Sequence, residues 1–159
     1  MELLVIRHGK AEGHGITGDG DRALVAKGHE QAKRLGRMLK HAKRLPEIVL
    51  SSPLVRARQT AEDICEEAGL PGPVIQGWLA CGMDPERAWQ ELAAFREFGR
   101  VAIVGHEPDL SGLIAFLMGC PHGAIRMKKG ACAVLQLRPP TVIATLEALI
   151  PPKLAEDGD

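Results

Sequence analysis

Leu3-Leu4-Val5-Ile6-Arg7-His8-Gly9 is the stretch on which the reading of this chain turns. A short apolar run closed by arginine, histidine and glycine has the character of a buried β-strand. Open α/β sheets take their ligands beyond the carboxyl ends of their strands, so Arg7 and His8 would emerge at the chemically useful edge. A guanidinium beside an imidazole suits phosphate, since the first binds its oxygens in pairs and the second can act as a nucleophile. The question is whether other strand ends bring partners to the same edge.

Two further apolar runs have this character, Ile48-Val49-Leu50 and Val101-Ala102-Ile103-Val104. The first is closed by Ser51-Ser52-Pro53, where serine before proline predicts an N-cap with proline at the first helical position. The helix that follows buries Ala57, Ala61, Ile64, Cys65 and Ala68. Arg56 lies one turn inside it, on a face shared with Gln59 and Thr60 and away from the apolar stripe. The other run leads into Gly105-His106-Glu107-Pro108-Asp109 and then an apolar helix, Leu110 to Met118, stopped by Gly119. Asp109 is placed to cap that helix. His106 therefore stands to its strand as His8 stands to the first.

Lys10 to Ala26 is glycine-rich and reads as a surface loop of the kind that closes over a ligand. Within it Gly13-His14-Gly15-Ile16-Thr17-Gly18 spells GxGxxG, but neither a strand nor a helix abuts it, which disfavours a dinucleotide site. Gly28 to Arg44 has helical spacing, with Ala32, Leu35, Leu39 and Ala42 inward and Pro46 ending it. Its other face carries Lys33, Arg34, Arg37, Lys40, Lys43 and Arg44, with Lys27 just before. Solvation explains such a face; a docking surface for an acidic partner is the sharper alternative. Val74-Ile75 is expected as a short edge strand and Gln76 to Met83 as irregular. Asp84 caps a helix with Trp89, Leu92 and Phe95 inward. Cys132 to Leu137 and Val142 to Leu149 read as two strands joined tightly around Pro139-Pro140.

These elements predict an α/β fold, a three-layer α/β/α sandwich around a mostly parallel sheet. Residues 1–150 would form one domain and residues 151–159 an acidic, frayed tail. The chain has 159 residues, 45% hydrophobic and 25% charged, with 20 basic and 20 acidic side chains. Zero net charge and 3% aromatic residues argue against a nucleic-acid binder. No run reaches the length of a membrane span and no signal segment opens the chain, so a cytoplasmic protein is expected. The four widely spaced cysteines read as reduced thiols without a CxxC pair, and Cys120 with His122 makes no more than half a metal site. No metal and no cofactor are expected. Nothing in the sequence sets the oligomeric state; a monomer is compatible with it.

Three strand-to-helix junctions thus present Arg7 and His8, Arg56, and His106. Guanidiniums bind phosphate oxygens and keep their proton. A neutral imidazole can attack phosphorus, and nearby arginines would keep its attacking nitrogen bare by lowering its pKa. A second imidazole would stabilise charge on the phosphoryl oxygens.

Arg7-His8-Gly9, Ser52-Pro53-Leu54-Val55-Arg56-Ala57-Arg58-Gln59-Thr60-Ala61 and Gly105-His106-Glu107-Pro108 closely resemble the histidine phosphatase (phosphoglycerate mutase-like) superfamily. Arg22-Ala23-Leu24 with Gly28 is similar to that family's segment before its first long helix. The resemblance implies a phosphoglycerate mutase-like fold, with His8 as the phosphorylated nucleophile and Arg7 and Arg56 as phosphate ligands. It makes His106 the second histidine and Arg22 a further phosphate or substrate contact. The short length and the Gly105 to Ser111 segment resemble the SixA-type phosphohistidine phosphatases.

Many larger members supply a general-acid carboxylate after the third strand, and Gln76 to Met83 contains none. An alkoxide needs a proton to leave phosphorus, whereas imidazole, with a pKa near 6.5, leaves easily. The departure favours phosphohistidine on a signalling protein over phosphate esters. Glu107, Asp109, Asp19 and Asp21 are the alternative acids. They would serve a small-molecule phosphomonoester or phosphoanhydride phosphatase. A non-catalytic phosphate-binding adaptor is the reading from another class.

Overall fold

The structure, a computed structural model, describes residues 1–14 and 18–155. Alternation along β1 (Glu2–Arg7) sets its layers. Leu4 and Ile6 pack on one face, beneath α1 (Ala26–His41) and α2 (Val55–Ala68), against Leu35, Ala61 and Ile64. Leu3 and Val5 pack on the other, beneath α3 (Pro85–Leu92) and α4 (Asp109–Met118), against Leu92, Leu113 and Ile114. The expected α/β/α sandwich results.

The remaining strands are β2 (Ile48–Ser51), β3 (Val74–Ile75), β4 (Arg100–Gly105), β5 (Cys132–Arg138) and β6 (Thr141–Ile150). They form one six-stranded sheet in the order β3-β2-β4-β1-β5-β6. The first four run parallel, while β5 is antiparallel to both β1 and β6, so the sheet is mixed with a parallel centre. Register decides what meets at the carboxyl edge. Arg7 pairs with Gly105, and Ser51 pairs with Val104. The next residues, His8, His106 and Ser52, are thereby carried to one place.

Four local expectations are corrected. First, α1 stops at His41, well short of Pro46. It closes in a Schellman turn, with Arg44 N–H donating to the Leu39 carbonyl at 2.8 Å and Lys43 at φ 55°. Second, α2 begins at Val55, so Ser52 is not its N-cap residue. The Ser52 N–H instead extends the strand ladder to the Val104 carbonyl, 3.0 Å away. Third, Asp109 lies inside α4, and the Glu107 side chain does the capping by accepting the Ser111 N–H at 2.9 Å. Fourth, the segment expected to open a frayed tail forms a short 3₁₀ helix, Pro152–Ala155, with Ala155 buried. Glu156 to Asp159 lie outside the described residues.

Asp84 caps α3 as its sequence predicts, accepting the Arg87 N–H at 2.9 Å. The base of the 10–26 loop is zipped: Glu12 N–H reaches the Ala23 carbonyl at 2.9 Å and Val25 N–H the Lys10 carbonyl at 3.0 Å. The GxGxxG stretch includes Gly15, Ile16 and Thr17, which lie outside the described residues.

Candidate active site

The end of β1 is pressed against the start of α1. A Cβ on Gly9 would stand 2.6 Å from the Gly28 carbonyl oxygen, and one on Gly28 would stand 2.1 Å from that of Lys10. Two glycines therefore let backbone pack on backbone, which fixes the turn that carries His8. Thr60 of α2 completes the fixture. Its hydroxyl donates to the Arg56 carbonyl at 2.7 Å and accepts the Gly9 N–H at 3.1 Å.

His8, Arg56 and His106 are all buried, and the two imidazole centroids lie 5.2 Å apart. His8 Nδ1 is 2.7 Å from the carbonyl oxygen of Gly9, an acceptor only, so Nδ1 carries the proton. Nε2 is then unprotonated, and the Arg56 Nε–H donates to it at 3.2 Å. His106 Nε2 lies 2.7 Å from Ser52 Oγ, while its buried Nδ1 has no partner among the described residues. Arg7 donates from Nη1 to the Met127 carbonyl at 2.7 Å, and its buried Nε is likewise without a partner. Such orphaned buried groups are uncommon and call for an explanation. Here both border the same cluster.

Burial pushes the His8 pKa down to about 3; the Gly9 carbonyl opposes this, and the charges of His106, Arg56 and Arg7 add to it. Burial likewise pushes His106 down to about 4, with Arg56 next in weight. The expectation that arginines keep His8 neutral is thus corrected in order of cause: desolvation leads and the guanidiniums follow.

The remaining sequence candidates are placed less centrally. Arg22 donates to the Glu12 carbonyl and to Asp19 Oδ1, both at 2.7 Å, so it reaches the cluster only through Asp19. Asp19 accepts from Arg56 Nη2 at 2.9 Å, and its backbone carbonyl accepts from Arg56 Nη1 at 2.7 Å. Its hydrogen bond from Arg22, and then the charge of Arg56, hold the Asp19 carboxyl below its usual range. An acid so held is a poor proton donor at neutral pH. Asp109 accepts the Gly82 N–H at 2.8 Å, and Glu107 is committed to its cap. Among the described residues, no group of three or more His, Cys, Asp or Glu side chains is placed to hold a metal ion.

Sequence reading missed the partnership of Ser52 with His106. Its signal was positional, since Ser52 follows β2 as His8 follows β1. Cys81, one of the four cysteines read only as reduced thiols, is exposed, and its sulfur lies 3.7 Å from Arg56 Nη2.

A parallel sheet edge with two imidazoles, two guanidiniums and two buried nitrogens without partners among the described residues suits a protein that handles phosphoryl groups. Residues 3–78 match the family model of the histidine phosphatase superfamily, branch 1. An uncharacterised protein of Picosynechococcus sp. is 35% identical over 146 residues, which cover 84% of this chain and 88% of the relative. The structure of the protein histidine phosphatase SixA complexed with tungstate superposes with a TM-score of 0.88 at 26% identity, covering 98% of this chain and all of that one. The alpha-ribazole phosphatase of Shigella flexneri shares the fold, with a TM-score of 0.78 at 24% identity over 96% of this chain and 97% of its own. The chain belongs to the histidine phosphatase superfamily, and it is an enzyme of that class.

Proposed function

We propose that the protein is a phosphohistidine phosphatase acting in two steps through a phosphorylated His8. In the first, the Nε2 lone pair of His8 forms a bond to phosphorus as the substrate's P–N bond breaks. The substrate imidazole, protonated beforehand on its other ring nitrogen, departs as neutral imidazole with that electron pair. In the second, water attacks phosphorus, the His8–phosphorus bond breaks, and inorganic phosphate leaves while Nε2 recovers its lone pair. Arg7 and Arg56 bind the phosphoryl oxygens, and His106 stabilises their charge in the transition state. Arg22 acts one step back, by holding Asp19. The observation that carries this reading is the Nδ1 contact of His8 with the Gly9 carbonyl, which leaves Nε2 bare beside Arg56.

Phosphohistidine fits because imidazole needs little acid help to leave. The 76–83 stretch offers no carboxylate, and Asp19 is held ionised. The likeness to a protein histidine phosphatase points the same way. We take the physiological substrate to be a phosphorylated signalling protein of the cytoplasm; no helix among the described residues is long and apolar enough to cross a membrane. One observation favours a second reading. Asp109 accepts the Gly82 N–H next to Cys81, whose sulfur lies 3.7 Å from Arg56 Nη2, so a carboxyl group stands at the rim of the cluster for an ester's leaving oxygen.

The test has two parts. Denatured after brief exposure to substrate, the enzyme should retain phosphate that survives alkali and is lost in acid, and His8→Ala should retain none. A phosphohistidine peptide should be turned over at least about a hundredfold faster than sugar phosphates. Equal turnover of both would move the assignment to the ester phosphatase. Undiminished activity in His8→Ala would overturn the mechanism.

A further inference from the structure

Net charge over the whole chain is zero, yet its cations are unevenly paired. Along α1 and just beyond it, the three arginines of the basic face are paired, while Lys33, Lys40 and Lys43 make no ion pair among the described residues. Arg34 lies 2.8 Å from Glu30, Arg37 lies 3.4 Å from Glu67, and Arg44 pairs with Glu2 and Glu147. Unpaired lysines gather at the opposite end of the helix. Lys27, Lys128, Lys129 and Lys153 are exposed, and none makes an ion pair among the described residues.

These four lysines line one groove of about 690 Å³, whose lining also holds the Glu30–Arg34 ion pair, so its net charge stays strongly positive. It lies between the start of α1, the turn before β5 and the 3₁₀ helix Pro152–Ala155, and Pro152 and Leu154 supply apolar surface. Leu154 is 74% exposed. The groove is tied to the phosphate cluster by backbone geometry. Gly130, next to Lys129, donates its N–H to the carbonyls of both Arg7 and His8, at 3.1 and 3.0 Å. Gln31, also in the groove lining, accepts the Lys10 N–H at 2.9 Å. Lys129 also lies within the field of Arg7, Arg22, Lys10 and Arg56, which after burial hold its ammonium below its ordinary value.

We propose that this groove docks an acidic segment of the protein substrate, running away from the phosphorylated histidine toward Lys153. The proposal rests on the phosphoprotein reading of the active site and deepens it. Four unpaired ammonium groups call for several carboxylates. Four lysines drawn from three separate segments around a groove of this volume suit a peptide rather than a single small anion. The prolines and Leu154 offer apolar contact between those charges, and the lysine field steers an acidic partner toward the site.

The probe is a fluorescein-labelled peptide of aspartate and glutamate with two leucines and no phosphate, read by anisotropy on the full chain. Lys27→Glu combined with Lys153→Glu alters the groove and leaves the phosphate cluster untouched. Binding should weaken about tenfold or more in the double variant, and about as much for the unaltered protein when salt rises from about 50 to 500 mM. Turnover of acetyl phosphate by the double variant should stay within about twofold, which also verifies folding. Equal affinity for acidic and lysine-containing peptides would overturn the proposal. So would an affinity indifferent both to salt and to the double variant. If the peptide binds only to a chain ending at Ala155, the groove seats the protein's own acidic terminus and the partner assignment is wrong. Peptide binding as expected, without turnover of any phosphohistidine peptide, would uphold the groove and sink the phosphohistidine reading alone.

Discussion

The two edges of the central sheet handle buried charge in opposite ways. At the amino edge, Glu2 is 8% exposed and bonded by both Arg100 and Arg44. Arg100 is its partner across the β1–β4 ladder, so the pair also marks the register of the two strands. At the carboxyl edge, His8, His106, Arg56 and Arg7 gather with no buried carboxylate beside them among the described residues, where Arg7 Nε and His106 Nδ1 also lack partners. A charge cluster that satisfies itself serves the fold. One left short of counter-charge is paid for elsewhere in the structure and waits for an anion.

Exchanging the two behaviours is the strongest way to break the comparison. Arg56→Ala should lower kcat/KM about a thousandfold, roughly 4 kcal/mol, measured with a phosphohistidine peptide. Its urea midpoint should fall only modestly, because the buried Arg56 guanidinium near Arg7 offsets part of what its hydrogen bonds to His8 and Asp19 contribute. Glu2→Ala should do the converse. It leaves Arg100 beside an apolar core and should cost about 3 kcal/mol of stability, with kcat/KM unchanged. A loss of stability without loss of activity in Arg56→Ala would show that the carboxyl-edge cluster is structural after all.

Acid should separate the edges next. Both histidines are neutral in the folded protein, with pKa values near 3 and 4, against about 6.5 when unfolded. Below pH 6.5 the unfolded chain therefore binds protons that the folded chain refuses. Stability is full above pH 6.5 and falls as pH drops from there toward 4 and then 3, by about 2 kcal/mol for each histidine at pH 5. Urea midpoints at pH 7 and pH 5 in phosphate-free buffer measure this. His8→Ala should remove about half of the difference, and Glu2→Ala should leave it largely in place.

The sequence made much of this legible, and the misses share a physical cause. Apolar runs and helical spacing sufficed for the layers, because alternation along β1 and the inward stripe of α2 follow from which side chains avoid water. The strand ends then located His8, Arg56 and His106 at one edge. Caps were less legible. Ser52 and Asp109 both stand where a capping residue would, yet the first is drawn into the strand ladder and the second reaches the Gly82 N–H across a loop. Those competing partners come from distant parts of the chain, which local spacing does not encode. The same holds for Lys43, whose left-handed turn ends α1 without glycine, and for the groove, assembled from segments some hundred residues apart.

The smallest expected effect falls on Asp19, whose carboxylate bonds directly to the carboxyl-edge cluster. Asp19 is half exposed and bridges Arg22 and Arg56, so it stands in for the anion that Arg56 otherwise lacks. A phosphate ligand must compete with it for the same guanidinium. An exposed ion pair is weak, so the competition should be modest. Asp19→Asn should tighten inhibition by inorganic phosphate about threefold, the size expected for one such pair. Arg22 would keep its bond to the Glu12 carbonyl, which limits the change to the carboxylate itself. If Asp19 were instead the proton donor, the same variant would lose turnover of ester substrates and leave phosphate inhibition where it was. The inhibition constant and the ester rate, measured together, therefore decide whether Asp19 occupies the phosphate site or works within it.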